Sequence, residues 1–133
     1  EGSTLNLLTY GEQTAIGAPD SAPWVTTAGA TLTEVVAGST VQLNWKGFSC
    51  PPGTGAVTSY TVTMTGATSA DGSTTRSFAA NDRSAQVVVA NLVGQRFVAT
   101  YFASCNRDSA ASPELNIPIT APVQPEPPKA EEE

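Results

Sequence analysis

The chain has 133 residues, enough for one domain with tails, and it carries 11 Gly and 10 Pro but no His. No apolar run approaches the roughly 20 residues of a membrane-spanning helix. Glu1-Gly2-Ser3-Thr4 lacks the basic and apolar regions of a secretion signal, so a mature product or a piece of something longer is expected. The formal charge of −6 sits at the ends: Ala22–Thr120 holds five acids and five bases, while residues 1–21 and the tail after Thr120 each contribute −3. A neutral body offers nucleic acid no counterion-releasing surface and an anionic membrane no basic patch, so neither partner is expected.

Three regions follow in chain order. Residues 1–21 read as an arm and linker, with Leu5, Leu7, Leu8 and Tyr10 as a short apolar stretch and Gly17–Pro23 as the linker. Residues 22–120 alternate short apolar runs with turn clusters. Val41-x-Leu43-x-Trp45 places three large apolar residues on one face, and Tyr60-x-Val62-x-Met64 does the same opposite Ser59, Thr61, Thr63 and Thr65. Phe97-x-Ala99-x-Tyr101-x-Ala103-x-Cys105 and Leu115-x-Ile117-x-Ile119 repeat the period, and weaker segments lie near Val25–Val35 and Ala85–Val89. Turns fall at Gly38-Ser39, Cys50–Gly55, Ala70–Ser73, Asn81-Asp82, Val93-Gly94 and Asn106–Ser112. About seven short strands without a helical period predict an all-β fold, an antiparallel two-sheet β-sandwich. Residues 121–133 read as a Pro- and Glu-rich disordered tail.

Four places in residues 22–120 resemble a fibronectin type III domain of the immunoglobulin-like group. Val41-x-Leu43-x-Trp45 is similar to its second strand, with Trp45 as buried anchor, and Ser59-Tyr60-Thr61-Val62 to its third. Val89-x-x-Leu92-x-Gly94 followed by Phe97 resembles the corner leading into the sixth strand. Ala103 with Ser109–Pro113 resembles the approach to the last one. The resemblance implies a core anchored by Trp45, Tyr60, Leu92, Phe97 and Tyr101. Phe97 stands where the family usually has Tyr, so the corner hydroxyl is absent.

On this reading Cys50 lies just past the second strand and Cys105 ends the sixth, at one pole. A disulfide between them encloses 54 residues and stabilises by roughly 4 kcal/mol on the chain-entropy model. Two separate buried thiols, or a metal site with incomplete coordination, are the alternatives. A disulfide implies an oxidising compartment, hence an extracellular or cell-surface location, with a virion as the alternative.

No His is present to activate a serine, and Lys46 and Lys129 sit in no Ser-x-x-Lys pattern, so catalysis is not expected and no cofactor is implied. Asp71, Asp82 and Asp108 lie in separate turns without the multi-ligand pattern of a calcium loop, which leaves at most a weak cation site. Binding falls to the polar loops, with Phe48, Asn106, Arg107 and Asp108 as candidates; Phe48 continues the outward parity of Lys46. Trp45 is assigned to the core, and Trp24 to a lid on the core's end. The leading expectation is a structural or interaction module of a secreted or surface protein, a spacer or protein-binding domain joined to a neighbouring domain. A virion or surface-filament subunit that self-assembles through residues 1–21 is the second reading. A carbohydrate-binding module using Trp24, Tyr10 or Phe48 is the third.

Overall fold

The computed structural model describes residues 16–122, and every regular element in it is a strand. There are ten: β1 (Trp24–Thr27), β2 (Ala30–Thr31), β3 (Val35–Val36), β4 (Thr40–Asn44), β5 (Ser59–Thr65), β6 (Ala67–Ser69), β7 (Thr75–Ala79), β8 (Ser84–Val89), β9 (Arg96–Ser104) and β10 (Leu115–Thr120). They form two five-stranded sheets, β2-β1-β4-β8-β6 and β3-β10-β9-β5-β7. The count exceeds the expected seven because β2, β3 and β6 have only two or three residues each.

The period-2 alternation decides which side chains meet between the sheets. Val41 and Leu43 of β4, Tyr60, Val62 and Met64 of β5, and Phe97, Ala99, Tyr101 and Ala103 of β9 are all buried in one apolar cluster. Across the β5–β9 ladder, Tyr60 faces Ala103, Val62 faces Tyr101 and Met64 faces Ala99. A larger residue thus stands opposite a smaller one in each pair, so bulky and small side chains interleave in the inner layer. Trp45 lies in the middle of an aromatic group, with ring centroids 5.1 Å from Phe78, 6.3 Å from Tyr60 and 6.5 Å from Tyr101. At such spacings tilted rings add roughly 0.5–1.5 kcal/mol per pair beyond area burial.

Between β5 and β6 the chain leaves one sheet for the other at Gly66, whose φ is 81°. A Cβ there would run into the carbonyl oxygen of Arg96, so only glycine fits the crossing. A turn closed by Asp71 sends β7 back to pair with β5. The hydroxyls of Ser69 and Ser73, then the Ser73 N–H and Arg76 at 3.7 Å, hold the exposed Asp71 carboxyl well below the usual carboxylate range.

Trp45, Tyr60, Phe97 and Tyr101 are core residues, each with 1% exposure or less. Leu92 is not: it is 40% exposed. It begins a tight turn in which its carbonyl accepts the Gln95 N–H, three residues after the end of β8. Val89 and Phe97, on the strands either side, close the core instead. Without a corner hydroxyl, that corner is tied by backbone bonds from Gly94 N to Ile119 O and from Ile119 N to Gln95 O. Trp24 is likewise no lid, being 37% exposed, because its neighbour Val25 takes the inward parity of β1.

Residues 16–21, expected to belong to a linker, pack on the body. Ile16 is buried, and its carbonyl accepts the Ala110 N–H at 3.2 Å. Leu5, Leu7, Leu8 and Tyr10 of the expected arm, and residues 123–133 of the expected tail, lie outside the described residues.

Candidate functional site

The loops after β4 and β9 meet at one pole. Beyond Asn44 the ladder continues for one bond, Trp45 N to Arg83 O, and then the chain leaves the sheet. Its backbone polar groups must find other partners. Two inward tyrosines supply them: the Tyr101 hydroxyl donates to Lys46 O at 2.8 Å, and the Tyr60 hydroxyl accepts from Phe48 N at 2.8 Å. Burial pushes the Tyr101 hydroxyl up in pKa, so it stays a donor.

The pole is closed covalently. Cys50 and Cys105 form a disulfide across 5.9 Å between Cα atoms. This excludes the thiol and metal alternatives for these two residues, and a buried disulfide is compatible with an extracellular protein. Beyond Cys105, Asn106, Arg107 and Asp108 make a compact tip. Cys105 N donates to Arg107 O at 2.9 Å and Ser104 Oγ to Asp108 Oδ1 at 2.7 Å, leaving all three tip residues exposed. Past the tip, two serines stand in for strand pairing. Ser109 Oγ accepts from Ala103 N and Ser112 Oγ from Tyr101 N, both at 3.0 Å, while each serine N–H donates back to the same residue's carbonyl.

The four residues expected to form a binding loop therefore reach one pole but not one site. Phe48 is half-buried and packs against the core, because its backbone is drawn inward by Tyr60. It lines a cavity of about 290 Å³ together with Pro19, Asp20, Lys46, Ser49 and Tyr101. Asn106, Arg107 and Asp108 do not line it. Gly47 also borders the cavity, and a Cβ there would come within 2.7 Å of Arg83 Nη2. That guanidinium lies over the Tyr60 ring at 5.0 Å and is anchored by the carbonyls of Ala80 and Asp82. Asp20 was missed as a site residue because it belongs to the expected linker; nothing local in the sequence shows that the segment docks.

The aspartates of the other turns are occupied within them: Asp82 accepts from Ala79 N at 3.1 Å, and Asp71 from Ser69 and Ser73. Among the described residues no group of three or more acidic, Cys or His side chains could hold a metal ion. No family model matches the chain, and no curated protein or solved structure matches it.

Proposed function

We propose that the chain is a non-catalytic, fibronectin type III-like module of a secreted or surface protein, acting as a spacer or protein-binding domain. The observation that supports it most is the division of strands. β1, β4, β8 and β6 lie side by side in one sheet and β10, β9 and β5 in the other, which is how an immunoglobulin-type sandwich divides its strands. The edges suit a module that stays apart from its neighbours. Three of the four edge strands are short, β2 and β3 with two residues each and β6 with three, so only β7 offers a foreign strand a longer run of backbone.

Sedimentation of the full chain from dilute to concentrated solution tests this reading. A monomer throughout is expected. Concentration-dependent assembly that disappears when Leu5, Leu7, Leu8 and Tyr10 are replaced by Ser would overturn it in favour of a virion or filament subunit.

A further inference from the structure

The cavity beside Phe48 places opposite charges on its walls without pairing them. Lys46 and Asp20 both line it, yet they form no ion pair with each other; among the described residues the one ion pair is Arg76–Asp71. The remaining surface is apolar or backbone: the Phe48 ring, the Pro19 ring, and the edge of Tyr101, whose proton is already committed to Lys46 O. Ser49 is exposed and contributes a hydroxyl at the rim. A space of about 290 Å³ lies at the small end of ligand pockets, enough for one amino acid and too little for a length of chain.

We propose that this cavity is a binding site for a zwitterionic small molecule, an α-amino acid with an apolar side chain. The carboxylate is held by Lys46 and the Ser49 hydroxyl. The ammonium faces Asp20, and the apolar side chain lies on Phe48 and Pro19. Each charged end meets a partner it would otherwise leave to water, which gives such a small site its selectivity. The walls come from three chain segments fixed to one another by the Cys50–Cys105 bond, the tyrosine hydroxyls and the Ile16–Ala110 bond, so the site is formed before the ligand arrives.

The test is an amide-resonance titration of the full chain with L-leucine and L-phenylalanine, alongside N-acetyl-L-leucine and L-leucinamide. Saturable shifts at Asp20, Gly47 and Ser49 are expected with both amino acids. The acetyl and amide forms should bind about tenfold more weakly or worse, since each removes one charged hydrogen bond. Lys46→Gln and Asp20→Asn should each weaken leucine by a similar factor while the rest of the spectrum stays unchanged. Absence of saturable shifts, or shifts at other residues alone, overturns the proposal. Equal binding of N-acetyl-leucine also overturns it, since the site would then take a carboxylate alone, such as a peptide C-terminus.

Discussion

The two poles of the molecule close the same pair of sheets by different means. At the pole after β4 and β9 the connections are long, residues 45–58 and 105–114, and side chains do the tying: one disulfide, two tyrosine hydroxyls and two serine hydroxyls. At the other pole the connections are short and backbone bonds suffice. Gly38 N donates to Val89 O and Gly94 N to Ile119 O, with both glycines at positive φ. A short turn limits where its polar groups can point, so the right backbone conformation is enough. A long loop has more freedom to lose and needs anchors distributed along it.

Removing the covalent anchor should have the largest effect. Replacing both Cys50 and Cys105 by Ser frees a loop spanning 55 residues of sequence and should cost about 4 kcal/mol in urea or thermal unfolding. Below global unfolding, hydrogen exchange should accelerate first in residues 45–58 and 104–112, with the Gly38 and Gly94 amides still protected. Uniform acceleration at both poles would mean that the disulfide secures the whole sandwich rather than one end.

Gly66 is the counterpart at the glycine-tied end. Gly66→Ala puts a side chain at φ 81° and against the Arg96 carbonyl. Left-handed backbone strain and a displaced strand together should cost about 3 kcal/mol. Unfolding midpoints measure this. A loss under about 1 kcal/mol would show that the β5-to-β6 crossing yields easily, and that backbone geometry is not what holds this end.

Much of the core could be read from the chain, because alternation holds wherever a strand is long. Trp45, Tyr60, Phe97 and Tyr101 all fall on the inward parity of β4, β5 or β9, or just beyond it. The same rule failed at Phe48. Parity applies only while the backbone stays extended, and after Gly47 the chain turns back toward Tyr60. β6 and β7 escaped notice for related reasons. Gly66 breaks the run after Thr65, β6 has three residues, and the inward positions of β7 are Arg76 and Phe78 rather than two aliphatics. Arg76 is tolerated there because it lies over the Phe78 ring at 4.9 Å and pairs with Asp71. The cavity was not legible at all, since Lys46 and Tyr101 are far apart in sequence and Asp20 reaches them only through the docking of residues 16–21.

The smallest expected effect discriminates most sharply between this corner and the one the sequence resembles. If Leu92 filled the core, truncating it would cost about 2–5 kcal/mol, as for a buried leucine such as Leu43. It is instead 40% exposed beside Val93 at 54%, in a turn already closed by backbone bonds to Gln95 and Ile119. Leu92→Ser should therefore change stability by no more than about 0.5 kcal/mol. Leu43→Ala, measured in the same unfolding series, gives the scale of a genuine core loss. A Leu92 effect approaching that of Leu43 would mean that the corner packs as in a fibronectin type III domain. This end of the molecule would then depend on a side-chain anchor, as the stapled pole does, and the contrast between the two poles would collapse.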